Sequence, residues 1–234
     1  FNPEATAQVI DDGPDGHRCV VIDNLLRNAP AIRDWAADQE LAPPQGYPYP
    51  GLVGPTPDAM NRLLEENFNN SVRRHLGGRR TMDAQNRISL VCTEPSQLQP
   101  VQWLCHRDRI SSDPQALLFA ASVLYLFDDP ALGGTSLYRP RRSAPETDRL
   151  LLDSQTMEAQ AFTARYGITP GYMLADNDWF ERTLRIPAAF NRAVFYDGGL
   201  FHSADVDQPS RLSRNPRVGR LSINGFYTCR RQAR

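Results

Sequence analysis

Between Arg87 and Tyr227 the chain breaks into short β-type segments, and this rhythm limits the possible fold more than any other feature. Arg87–Cys92, Val101–Asp108, Ala120–Phe127 and Thr135–Arg139 are each rich in β-branched, aromatic and alternating apolar residues. From about Pro145 to Arg185 the series is interrupted. Asp148 to Tyr166 has helical character with Gly167 as a stop, and Asp178 to Leu184 is expected to form one more short helix. Strands are expected again at Arg192–Tyr196, His202–Val206 and Arg220–Tyr227. Upstream, Cys19–Ile22 reads as a strand, and Asn24 can cap a helix running through Leu41. The stretch from Pro43 to Pro57 holds six prolines and three glycines and is expected to be loop. A second helix, from Pro57 to Leu76, would be stopped by Gly77-Gly78. No repeat, low-complexity tract or long linker divides the chain. The expectation is one mainly β domain over 1–234, with a double-sheet core from 87 onward, a helical or mixed support over 1–86 and an insertion at about 141–191.

Composition bounds the partners. With 41% hydrophobic residues a sizeable core is possible, and a net charge of −1 gives no reason to expect nucleic acid or an anionic membrane. All 26 basic residues are Arg, so any anion held by a cationic side chain other than His is held by a guanidinium. Cys19, Cys92, Cys105 and Cys229 form no CxxC pair, which argues against a zinc knuckle or disulfide framework and fits a reducing compartment. No run of about 18 apolar residues is present. The segment from Phe1 lacks the basic and apolar regions of a signal peptide, so a cytoplasmic location is expected.

Three residues carry the chemistry. His106 and Asp108 stand two apart in a predicted strand and would share a face. His202 lies at the end of another apolar segment, Val194 to His202. Two imidazoles and one carboxylate that leave coordination positions open form the facial set used by non-haem Fe(II) oxygenases. Each residue alone is a weak signal, because a lone His on a strand is usually a hydrogen-bonded, half-buried side chain. That plain reading suits His17, in a Gly-rich turn, and His75, near a helix C-terminus. His106-Arg107-Asp108 also matches the catalytic loop of protein kinases, but the glycine loop, the Lys and the Asp-Phe-Gly of that family are absent.

The order of elements around these residues resembles the Fe(II)- and 2-oxoglutarate-dependent oxygenase superfamily, in its prolyl-hydroxylase-like branch. His106-Arg107-Asp108 is followed by a strand ending Tyr125-Leu126-Phe127-Asp128, then by Gly133-Gly134-Thr135-Ser136-Leu137-Tyr138-Arg139. Ala193-Val194-Phe195-Tyr196-Asp197 precedes His202, and Arg220-Leu221-Ser222-Ile223 closes the pattern. The resemblance covers Val101 to Tyr227. It implies a double-stranded β-helix (jelly-roll, cupin-like) core, with His106, Asp108 and His202 binding and catalysing at Fe(II). It also implies 2-oxoglutarate and O₂ as cosubstrates, with ascorbate in a supporting part. Arg220 would pair with the distal carboxylate of 2-oxoglutarate. Ser222 would share that contact by the period of two, and Tyr125 would stand at the cosubstrate-contacting position. The implied reaction is hydroxylation of a C–H bond with release of succinate and CO₂. Asp108 favours it over halogenation, because halogenating relatives replace that carboxylate with a small residue.

Two features depart from the family pattern. His202 and Arg220 are eighteen residues apart, which requires an added loop from about Asp207 to Arg217. Its Arg211, Arg214 and Arg217 read as solvated charges. The segment Arg141 to Asn191 is also long. This insertion and the Pro43–Pro57 loop are the expected substrate-facing elements, since loops carry specificity on a fixed scaffold. The expected substrate is a peptide or protein residue or a small metabolite, and the chain is expected to be a monomer or homodimer. The competing readings are a catalytically inactive jelly-roll that binds a ligand or partner, and a cupin-like dioxygenase that uses no keto acid.

Overall fold

A computed structural model describes residues 1–12, 17–109 and 113–232. In chain order the elements are β1 (Ala7–Asp12), β2 (His17–Ile22), α1 (Ala29–Ala37), β3 (Gly51–Pro55), α2 (Asp58–Ser71), β4 (Gly78–Val91) and β5 (Leu117–Tyr125). They continue with β6 (Thr135–Pro140), α3 (Ala144–Thr156), α4 (Ala159–Tyr166), β7 (Phe180–Ile186), β8 (Ala193–Asp197), β9 (Phe201–Ala204) and β10 (Arg220–Arg231). The strands pair antiparallel in two sheets, one ordered β1-β2-β8-β5-β10-β4-β3 and the other β7-β6-β9. A bridge between His106 and His202 extends the smaller sheet beyond β9. Two antiparallel sheets with these crossovers make a jelly-roll, so the mainly β fold with flanking helices holds.

The period of two places the core on both faces of the large sheet. On its outer face Ile88, Leu90, Leu118, Leu124, Phe195, Leu221 and Ile223 pack with Ala36 of α1 and Phe68 of α2. On its inner face Val123, Tyr125, Val194 and Tyr196 meet Leu137 and Ile186 of the smaller sheet. Phe68 has 0% exposure and stacks on Tyr227 with ring centroids 3.9 Å apart. Phe68→Ala should therefore cost about 3–5 kcal/mol, the usual range for emptying a buried aromatic site. Urea unfolding measures this, and a loss under about 1 kcal/mol would show that α2 is not a clamp on the sheet.

Several local expectations are corrected. The first helix does not start at Asn24 or reach Leu41 but spans Ala29–Ala37, and Asn24 instead takes φ 52° in a turn. The Pro-rich stretch contains β3, an edge strand ending in Pro55, where a missing N–H is tolerated. The strand expected at Arg87 starts nine residues earlier, at Gly78. His17 opens β2 rather than lying in a turn. The helix expected from Asp148 begins at Ala144, under a capping box of Ser143 and Glu146, and the helical stretch is broken where Met157 turns extended. The helix expected at Asp178–Leu184 is strand β7, which pairs with β6. Finally, Val101–Asp108 is not a strand: a 3-10 turn over Pro100–Gln102 leads into irregular chain with one bridge, at His106.

Candidate metal centre

His106, Asp108 and His202 are nevertheless brought together. One ligand atom from each lies within 4.8 Å of the others. Reciprocal backbone bonds, His106 N–H to His202 O at 2.9 Å and His202 N–H to His106 O at 2.8 Å, set the two histidines side by side. Asp108 is fixed by its N–H donating to Gly198 O at 2.9 Å. A Cβ on Gly198 would stand 3.0 Å from Phe119 O and 3.1 Å from Asp108 Oδ2, so this close approach leaves little room for a larger residue. Backbone pairing, and not strand periodicity, is what aligns His106 with Asp108.

The spacing suits an ion. His106 Nε2 is 3.6 Å from Asp108 Oδ1, and His202 Nε2 is 3.3 Å from Asp108 Oδ2. Ligands at right angles about 2.1 Å from a metal stand about 3 Å apart. His202 Nδ1 lies 2.9 Å from Leu200 O. Donation from Nδ1 to that carbonyl leaves Nε2 as the atom that faces Asp108 and can bind an ion once it gives up its proton. The side chain of His202 is 5% exposed and that of His106 is 55% exposed, so the set has a buried side and an open side.

Charge is balanced for the same purpose. Burial pushes the Asp108 carboxyl up, but His202 and the hydrogen bonds from both imidazoles outweigh it and hold the group far below the usual carboxylate range. Protein packed around the inner side of the His106 ring and the charge of His202 lower His106, even though its outer edge is open to solvent, and this favours the neutral ring. Desolvation opposes protonation of His202 as well, but Asp108 overrides it and lifts that histidine above its ordinary value. An ionised carboxylate between two imidazoles is a donor set prepared for a divalent cation.

Arg220 lies inside the barrel and is 3% exposed. Its Nε donates to Leu132 O at 2.9 Å and its Nη2 to Gly134 O at 2.7 Å, while its guanidinium carbon is 5.8 Å from the Tyr125 ring centre. One edge of the fork is thus spent on backbone, and Nη1 has no hydrogen-bond partner among the described residues. The carbonyls reach Arg220 because Gly133 adopts φ +74°, where an added Cβ would fall 1.2 Å from Asp205 O. Ser222 is buried and donates to Asn224 Oδ1 at 2.8 Å, and Tyr125 Oη shares a 2.7 Å bond with Thr135. Arg211 and Arg217 pair at the surface with Asp129 and Asp38.

Other interior residues escape the sequence motifs. Tyr196 lies beside His202 with ring centres 4.7 Å apart and the planes tilted by 57°. Arg87 and Ser89 occupy the inner face of β4, opposite Asn224 and Ser222 of β10. The signal for them was present: between Arg87 and Cys92 the odd positions include two polar residues while the even ones are apolar. The helices α3 and α4 do not line this interior with their buried side chains. Leu150 and Phe162 pack against Trp103, Leu104 and Cys105, so the insertion supports the back of the segment that carries His106.

The fold resembles solved structures only distantly. The non-haem α-ketoglutarate-dependent epimerase SnoN from nogalamycin biosynthesis aligns at TM-score 0.49 and 12% identity, covering 92% of this chain and 81% of its own. HygX from Streptomyces hygroscopicus, with nickel and 2-oxoglutarate bound, gives 0.47 and 8%, covering 90% and 82%. An N-substituted L-amino acid dioxygenase from Burkholderia ambifaria gives 0.42 and 10%, covering 97% and 98%. Likeness of this degree carries no argument about chemistry. No curated protein matches the sequence. Among the described residues no helix is long and apolar enough to cross a membrane. A family match does extend over residues 3–227, and the chain belongs to the family of unknown function DUF6445.

Proposed function

We propose that this chain is an Fe(II)- and 2-oxoglutarate-dependent oxygenase of the prolyl-hydroxylase-like type that hydroxylates a C–H bond. The observation that carries the reading is the convergence of His106, Asp108 and His202 within 4.8 Å, with an open side, from segments far apart in sequence. These three residues would hold the iron, and Arg220 would hold the distal carboxylate of 2-oxoglutarate. When bound, the iron would activate O₂, which is the oxidant: one oxygen atom would enter succinate as 2-oxoglutarate loses CO₂, and the other would enter the substrate C–H bond.

The chain's own residues divide the remaining work. Leu200 O holds the His202 ring in the tautomer that presents Nε2. The carbonyls of Leu132 and Gly134 hold Arg220 in one orientation, so its remaining donors meet a carboxylate without a search through rotamers. The buried Ser89 Oγ makes no hydrogen bond of normal length with any described residue, although the Tyr49 hydroxyl feels it, and Ser89 stands opposite Ser222 in the sheet. An orphaned buried hydroxyl beside a guanidinium fits a polar ligand in this part of the barrel. Tyr125 and Phe127, whose ring centres lie 5.8 and 5.6 Å from the Arg220 guanidinium carbon, wall this end.

The substrate in this reading is a small molecule or a residue of a peptide, met at the open side of His106, and the protein works in the cytoplasm as a monomer or homodimer. An inactive binding protein would have no use for an intact, charge-balanced donor set. The test is conversion of 2-oxoglutarate to succinate by the full chain with Fe(II) and O₂. Slow, iron-dependent succinate formation is expected even without substrate, and its absence at saturating 2-oxoglutarate in protein shown to bind Fe(II) would overturn the reading.

A further inference from the structure

The side chain of Arg87 is partly buried and has no counter-charge. Its guanidinium carbon lies 4.7 Å from the ring centre of Tyr47, 5.5 Å from that of Tyr49 and 4.8 Å from that of Phe226. It makes no ion pair and no hydrogen bond with any described residue, and its Nε is buried without a partner. Cation–π contacts contribute roughly 0.5–2 kcal/mol each, but they give the buried Nε–H no acceptor, while the terminal nitrogens of the half-buried side chain keep access to solvent. A buried donor without an acceptor costs stability unless a ligand or water completes it.

Its position says which ligand. Arg87 faces Asn224 across the β4–β10 ladder and Arg220 faces Val91, so the two arginines lie four residues apart along the strand, about 13 Å at the usual rise. Their backbones are therefore well separated along one wall of the barrel. Burial raises the Tyr49 hydroxyl, while the charges of Arg220 and Arg87 pull it down. Tyr47 and Tyr49 belong to the Pro-rich stretch and roof Arg87 from outside the sheet.

We propose that Arg87 is the substrate-recognition residue and that the substrate is an organic anion. Its carboxylate or phosphate monoester pairs with the Arg87 guanidinium, and its apolar body lies against Tyr47, Tyr49 and Phe226. This deepens the oxygenase reading and rests on it for the word substrate, but the binding itself needs no iron. The fork of Arg87 presents two parallel donors to either kind of oxyanion. The rings exclude water from one side of the pair and strengthen it.

The experiment is ligand-observed NMR on the metal-free full chain with three probes of one shape: benzoate, phenyl phosphate and benzamide. One or both anions should bind, the better one identifying the group recognised, and neutral benzamide should not. Arg87→Gln should weaken the anion at least about tenfold, the equivalent of about 1.4 kcal/mol. Arg211→Gln, which removes a surface guanidinium paired with Asp129, should leave it within about twofold. Should Arg87→Gln melt early, Arg87→Lys keeps the charge without the fork and should bind the anion with intermediate affinity. Binding of benzamide equal to benzoate, no anion binding by the parent, or anion binding unchanged in Arg87→Gln each overturns the proposal. Failure here with iron-dependent succinate formation intact removes only Arg87 from the account. Anion binding without any succinate formation removes the oxygenase reading and leaves the site.

Discussion

Asp108→Ala is expected to abolish iron-dependent turnover of 2-oxoglutarate while the protein still folds. The carboxylate stands 3.6 Å from one imidazole nitrogen and 3.3 Å from another, and it is the only acid of the set. Losing even an outer partner of a metal ligand commonly costs 10–100-fold in affinity, so losing one of three ligands should cost at least about 100-fold. Fe(II) binding by calorimetry measures this, with a circular dichroism melt as the control for folding. The substitution also has a pH signature in the metal-free protein. The folded-state value of Asp108 is depressed, so its stabilising part is present above the unfolded value of about 3.9 and fades as pH falls below it. The folded-state value of His202 is raised, so its part is full below about 6.5 and fades as pH rises through the raised value. The stability difference between parent and Asp108→Ala should therefore be largest between about pH 4 and 6.5. A difference that grows steadily toward alkaline pH would mean that the pair does not titrate as a unit.

Arg220→Ala should have two effects at once. The buried side chain serves the carbonyls of Leu132, Gly133 and Gly134, and removing it leaves those acceptors short of donors at about 1–3 kcal/mol for each group orphaned. A lower melting temperature is expected before any ligand is considered. In the fraction that folds, 2-oxoglutarate should bind more weakly by roughly 2–5 kcal/mol, the cost of burying a carboxylate without its partner. Arg220→Lys separates the effects, since it keeps the charge but cannot serve two carbonyls and a carboxylate together. Fe(II) affinity should hardly change in either variant. Unchanged 2-oxoglutarate affinity in both would remove Arg220 as the cosubstrate residue and turn attention to Arg214, since Arg211 and Arg217 are paired with Asp129 and Asp38 at the surface.

The sheet was legible in the sequence because its strands are buried on alternating faces. Ala193 to Tyr196 announces itself by β-branched and aromatic content and Arg220 to Ile223 by polar–apolar alternation, and both lie in the large sheet. Edge elements were not legible. β1 mixes polar and apolar residues and has one paired side, and β3 hides among prolines that an edge tolerates. Phe180 and Leu184 imitate a helical i, i+4 pair, but pairing with β6, distant in sequence, decides for strand. The same limit applied at the metal centre. His106 and Asp108 were found by residue type, yet the strand invoked to align them does not exist. Their alignment comes from bonds to His202 and to Gly198, nearly a hundred residues away, which local periodicity cannot register. Arg87 was missed because no motif marks it. It becomes visible only when the strand face it shares with Ser89 is seen to be the inside of the barrel.

An anaerobic Fe(II) titration, with and without 2-oxoglutarate, tests the central claim most directly. The account predicts one equivalent of Fe(II) bound through His106, Asp108 and His202. It also predicts a weak metal-to-ligand charge-transfer band in the visible range that forms only when 2-oxoglutarate is added, weakens in Arg220→Ala and vanishes in Asp108→Ala. Stoichiometric Fe(II) binding with no such band at saturating 2-oxoglutarate would contradict it, and the site would then belong to a metal protein that uses no keto acid.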